Sequence, residues 1–320
     1  MDRKSLVTGA GGFIGHHLVS FLKSKGQYVI GVDRKRPEFE PTKADQFILH
    51  DIRHQTKEWQ KLFEGVDDVW ALAAEMGGMG FISYNHAMIM RDNVTININT
   101  LEAARQAGVK RYLYTSSACI YPEYLQEVTN VKALTEEMAY PAKPQDGYGW
   151  EKLYTEKLCE YYQQEFGMDI RIVRFHNMYG PLGTWRGGRE KAPAALCRKV
   201  AEAILKKQDY IEIWGDGEQT RTFCYIDDCI KGLNLIMESG YKKPINLGRD
   251  EMVSINQLAD IVMKVAGVSL QKVHIVGPQG VRGRNSDNLL CKKVLNGWAP
   301  EIDLKEGLRT TYQWIHKQLV

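Results

Sequence analysis

Ser116, Ser117 and Cys119 fall within one stretch, Thr115-Ser116-Ser117-Ala118-Cys119-Ile120-Tyr121-Pro122, which leaves a strand and sets a hydroxyl and a thiol two positions apart. Serine hydroxyls can donate to a substrate oxygen, and a thiol can take or give a proton, so the stretch reads as the floor of an active site. Further on, Tyr148 and Lys152 lie four apart in Tyr148-Gly149-Trp150-Glu151-Lys152, a spacing that points both side chains to one side of a helix. Near the start, Gly9, Gly12 and Gly15 follow the apolar run Ser5-Leu6-Val7-Thr8 and precede a helical pattern from His16 to Lys25. Such a turn lets the N–H groups at a helix start approach a pyrophosphate with no Cβ in the way. Asp33, closing the run Tyr28-Val29-Ile30-Gly31-Val32, stands where an acidic side chain would take ribose hydroxyls. It would repel a 2′-phosphate and so favours NAD over NADP, although Arg34 and Lys35 work against that preference.

Groups so placed need a rigid sheet behind them. Strand-like runs at 5–8, 28–32, 46–49, 69–73 and 111–115 alternate with helical stretches, the mark of an α/β fold with a Rossmann-type, doubly wound parallel sheet. Ligands collect at the carboxyl edge of such a sheet. Asp51 and Ile52 follow the third strand, where an adenine contact would fall, and Ala73 ends the fourth. Next comes Met76-Gly77-Gly78-Met79-Gly80-Phe81, read as a flexible loop at that edge. Residues 85–106 read as one long helix and 142–145 as a short linker; a Gly/Pro/Trp-rich loop over 177–188 is taken as the crossing into a smaller lobe.

Composition narrows the partners. With 320 residues and 44% hydrophobic content the chain can bury a sizeable core, and Lys plus Arg exceeds Asp plus Glu by only 42 − 39 = 3. No basic block carries interleaved aromatics, so no nucleic acid is expected. The six cysteines are scattered without a CxxC pair, which indicates neither a disulfide framework nor a metal site and fits a reducing compartment. A strand-like run begins within five residues and no apolar span approaches twenty, so the expectation is no signal peptide, no membrane span and a cytoplasmic location.

The ensemble of the glycine turn, Ser-Ser at the end of the fifth strand and Tyr-x-x-x-Lys about thirty residues later resembles the extended short-chain dehydrogenase/reductase superfamily over nearly the whole chain. The resemblance implies hydride transfer with Tyr148 as general base, Lys152 as its electrostatic activator and ribose anchor, and Ser117 as polariser of the forming carbonyl. A tyrosine is mostly protonated at neutral pH and a nearby ammonium favours the phenolate. It also implies a cofactor wall made by Gly9, Gly12, Phe13, Ile14, Gly15, Asp33, Asp51, Ile52, Ala73, Tyr148 and Lys152.

Ser116-Ser117-Ala118-Cys119-Ile120-Tyr121-Pro122-Glu123 is similar to the GDP-mannose 3,5-epimerase family. So are Arg174 to Pro181, Gly187 to Pro193, Trp214 to Gly217, Val281 to Asn288 and Gly297 to Pro300. This resemblance implies that Cys119 and Lys191 are an acid/base pair. Once C4 of the sugar is a ketone, the hydrogens on C3 and C5 can be removed to an enolate and replaced from the opposite face, and that work needs one base and one opposed acid. It implies a GDP-hexose substrate, with contacts from Gly78, Met79, Ser117, Asn177, Glu190 and Lys191 and a diphosphate clamp from Arg221, Arg282 or Arg284. The reading divides the chain into a Rossmann domain over 1–176, with 222–240 packing back on it, and a nucleotide-sugar lobe over 177–320. A homodimer through two long helices is expected. The alternatives are a nucleotide-sugar 4-epimerase or 4,6-dehydratase, or a dehydrogenase-fold protein that binds NAD or RNA without turnover.

Overall fold

The computed structural model describes residues 3–320. Short runs rich in aliphatic and aromatic residues form the strands β1 (Lys4–Thr8), β2 (Tyr28–Asp33), β3 (Gln46–Leu49), β4 (Asp68–Ala71), β5 (Arg111–Ser117) and β6 (Ile170–Phe175). Between them lie the helices α1 (Phe13–Ser24), α2 (Lys57–Lys61), α3 (Met79–Ile82), α4 (His86–Gln106) and α5 (Gly147–Phe166). The chain continues with β7 (Asn177–Tyr179), α6 (Ala192–Leu205), β8 (Tyr210–Trp214), β9 (Thr220–Tyr225), α7 (Ile226–Glu238) and β10 (Pro244–Leu247). It ends with β11 (Met252–Ser254), α8 (Ile255–Ala266), β12 (Gln271–Ile275), α9 (Leu289–Val294) and α10 (Leu304–Leu319).

Seven strands form one parallel sheet in the order β10-β6-β5-β4-β1-β2-β3. Both faces are covered, so the central strands carry buried apolar residues on each side: Leu6, Val7, Val29, Val69, Leu113 and Ile172 are wholly buried. The strand order reverses between β1 and β4, which opens a crevice at their carboxyl ends. The smaller lobe adds the sheets β11-β9-β7 and β12-β8.

Three local readings are refined. The expected return over 222–240 extends further, because β10 pairs with β6 through Asn246 and Arg174 and so gives the large sheet its seventh strand. The Gly/Met-rich loop holds the short helix α3, and the crossing after Phe175 begins with β7, parallel to β9. Strand β5 runs on to Ser117, so Ser116 and Ser117 project to opposite faces of the sheet.

Candidate active site

The cofactor side is a cleft of about 380 Å³ over the crevice between β1 and β4. Gly9, Gly12, Phe13, Ile14 and Gly15 line it from the first turn, and Asp33, Asp51, Ile52 and Ala73 line it from the ends of β2, β3 and β4. A Cβ on Gly15 would strike the Gly9 carbonyl, so only glycine lets α1 start this close to the turn. The N-cap residue of α1, Gly12, makes no side-chain cap bond, and no acidic side chain stands in the first turn, which leaves the helix start open to an anion. Asp33 accepts from the backbone N–H of Gly11 at 3.0 Å and of Lys35 at 3.1 Å, and retains lone pairs for ribose hydroxyls. Burial raises its carboxyl above the usual range. These features fit a dinucleotide. Asp51 is held by Arg53 at 2.6 Å, and this hydrogen-bonded pair brings its carboxyl down to about 2.

Helix α5 positions Tyr148 and Lys152. Its N-cap Asp146 accepts from Gly149 N at 2.8 Å, and a Cβ at Gly149 would collide with the Cys119 carbonyl, so the first turn is pressed onto the Ser117–Cys119 turn. Ser117 accepts from Cys119 N at 3.2 Å and faces the cleft, whereas Ser116 donates to Glu156 at 2.5 Å, within the buried Glu156–Arg174 ion pair. The strand alternation thus withdraws the Ser116 hydroxyl and leaves Ser117 for chemistry. Lys152 Nζ donates to the Thr115 carbonyl at 2.9 Å and lies 5.6 Å from the centre of the Tyr148 ring. Burial, and then the Glu151 charge, hold the Tyr148 phenol well above its ordinary value, while burial lowers the Lys152 ammonium. Burial thus opposes the phenolate that the Lys152 ammonium favours, and the Glu151 carboxylate lies 3.9 Å from that ammonium.

A second cleft of about 280 Å³ joins the first at Ser117, Tyr148, His176 and Lys191. Gly78, Met79 and Cys119 line it from the sheet side, and Asn177, Glu190, Arg221 and Arg284 from the smaller lobe. Arg284 donates to the Cys119 sulfur at 3.2 Å through Nη1 and to Gln126 at 2.6 Å through Nε. Lys191 is the N-cap residue of α6, and burial depresses its amine. Arg221 donates to the Val281 carbonyl at 2.7 Å, and burial together with Arg284 brings it down to about 9. Arg282 is brought to neither cleft: both its terminal nitrogens reach Asp216, at 2.7 and 2.6 Å, and that pairing on the outer surface removes it from the clamp.

Sequence reasoning passed over several groups in or behind the clefts. Glu75 pairs with both Arg34 and Arg189, linking the end of β2 to the lobe loop across the cofactor cleft. His176 lines both clefts while neither ring nitrogen has a partner, and burial takes its pKa down to about 3. Glu151 is buried behind Lys152. Nothing but its place beside Lys152 marked Glu151 out, and the Glu75 pairing joins residues far apart in the chain.

Comparison with known proteins agrees with this geometry. Residues 5–248 match the model of the NAD dependent epimerase/dehydratase family. The GDP-mannose 3,5-epimerase of Arabidopsis thaliana is 53% identical over 319 residues, covering 99% of this chain and 83% of that protein. Among solved structures, the UDP-glucose 4-epimerase of Thermotoga maritima superposes with a TM-score of 0.86 at 27% identity, covering 99% of this chain and 100% of the other. The UDP-glucuronic acid 4-epimerase of Bacillus cereus, solved with UDP-glucuronic acid and NAD, gives 0.82 at 29%, again over 99% and 100%. Among the described residues no helix is long and apolar enough to cross a membrane. With a dinucleotide crevice, a Ser-Tyr-Lys cluster at its end, a family match over most of the chain and a relative 53% identical over 99% of it, the chain belongs to the NAD dependent epimerase/dehydratase family.

Proposed function

We propose that the protein converts GDP-D-mannose to GDP-L-galactose, with GDP-L-gulose as the product when only C5 is inverted. The observation that carries this reading is the junction of the two clefts, where Ser117 and Tyr148 border the same space as Cys119 and Lys191. The similarity to the Arabidopsis thaliana epimerase supports the choice of sugar. Bound NAD would supply the hydride acceptor and donor for reversible oxidation at C4. Gly9, Gly12 and Gly15 would admit its pyrophosphate, Asp33 its ribose hydroxyls, and Lys152 the second ribose. Tyr148 takes the C4 hydroxyl proton, and Ser117 donates to the forming carbonyl oxygen. Cys119 and Lys191 then remove and replace protons at C3 and C5, the positions acidified by the C4 ketone. A buried amine with a depressed pKa suits the neutral form that a base requires. Arg221 and Arg284 border the same cleft and supply positive charge for the diphosphate.

The exposed face of α4 and α5, with Met90, Ile98, Trp150, Tyr154 and Tyr161, suits a homodimer through paired helices. A cytoplasmic location fits the free, scattered cysteines. The test is incubation with GDP-mannose in deuterated water, followed by NMR. Deuterium should enter C3 and C5 of the sugar. Inversion at C4 with no label at C3 or C5 would make the protein a 4-epimerase instead.

A further inference from the structure

Glu151 is a buried carboxyl that the chemistry above does not use. It precedes Lys152 on α5, yet its Oε1 lies 3.9 Å from the Lys152 ammonium. Two amides from α4 hold it, Asn93 at 2.8 Å and Asn97 at 3.3 Å. Asn93 in turn accepts from Glu75 N at 2.6 Å and donates to Glu75 O at 3.0 Å, so the carboxyl is tied to a segment lining the cofactor cleft. The groups facing this cluster are few. Tyr148 and the N-cap Asp146 come from α5 itself, Tyr114 from β5, and only the two amides from α4; Glu156, Cys159 and Cys119 lie toward Lys152.

Charge balance couples Glu151, Lys152 and Tyr148, all three of which are buried. With Glu151 ionised, it and Lys152 sum to zero, and deprotonating Tyr148 adds an uncompensated negative charge. With Glu151 protonated, the same phenolate and Lys152 sum to zero. Burying an unpaired charge is costly, so the two acids compete for one ionised state.

We propose that Glu151 is a positioning residue of the hydride step: it anchors Lys152 by charge and, while ionised, keeps the Tyr148 phenol protonated, so the proton on Glu151 governs when Tyr148 can act as a base. Burial pushes the Glu151 carboxyl up to about 7, into the range where this competition operates at neutral pH. The role assigned here rests on Tyr148 being the general base of the proposed reaction.

The experiment uses NAD-loaded protein. Tyrosinate absorbance is titrated in the parent chain and in Glu151→Gln, each corrected by its Tyr148→Phe counterpart, and the pH profile of turnover is recorded alongside. Glu151→Gln should move both the Tyr148 titration and the acidic limb of turnover to lower pH by about one unit. Asn93→Ala, which removes a donor from the same carboxylate, should move them the same way by less, and it serves if Glu151→Gln does not fold. A Tyr148 titration that stays in place or moves upward overturns the inference. Absence of turnover in the parent chain would count against the function, while the absorbance titration would still decide the role of Glu151.

Discussion

The Tyr148–Lys152 pair and the Cys119–Lys191 pair border one space but are built in different ways. Tyr148 and Lys152 share one helix, capped by Asp146 and packed behind by α4, so their relative placement is fixed by helical geometry alone. Cys119 sits on the turn after β5, and Lys191 caps α6 after the crossing into the smaller lobe. Their meeting depends on how the lobe sits on the sheet. In the proposed reaction the first pair serves a step that many sugars could undergo, and the second acts on the sugar once the ketone exists.

Removing one member of each pair separates the two halves. Tyr148→Phe keeps the ring packing and deletes the base; turnover should fall by about 10³-fold, with loss of both C4 oxidation and deuterium exchange while NAD remains bound. Retained exchange at C3 and C5 in that variant would mean that the halves are not sequential. Cys119→Ala should abolish exchange at its centre, yet transient absorbance of the reduced cofactor should still report C4 oxidation. Undiminished exchange would remove Cys119 from the mechanism.

An effect on stability rather than on turnover comes from His176, which lies between the pairs. In the unfolded chain its ring takes a proton near its ordinary 6.5, but in the folded protein not until about 3. As pH falls from 6.5 the unfolded state gains this proton first. The stability held above 6.5 therefore declines toward pH 3, by roughly 5 kcal/mol at most. Denaturant midpoints measured against pH should show that slope, and His176→Gln should flatten it. An equal slope in the two proteins would assign the acid sensitivity to other groups.

Much of the fold was legible because its signals are local. The alternation of apolar runs with helical stretches predicts the parallel sheet, and the spacing Gly9, Gly12, Gly15 with Asp33 predicts the cofactor crevice, where all four residues line one cleft. Parallel strands buried on both faces cannot hide their composition. The seventh strand was less visible, since Pro244 to Leu247 is short and joins the sheet only after a detour through the smaller lobe.

At the site, residue types and helical spacing carried the Tyr148–Lys152 pairing from the sequence alone. The sequence also set Ser117 and Cys119 two positions apart on one turn. Only the tertiary structure decided that Ser116 turns away to Glu156, that Arg282 is spent on Asp216 and that Arg284 reaches the Cys119 sulfur. It alone brought Glu151 against Lys152 with amides from another helix. The physical reason is the range of the forces involved: backbone periodicity acts over one turn or one strand, whereas burial and charge pairing act between whatever segments the packing brings within a few ångströms.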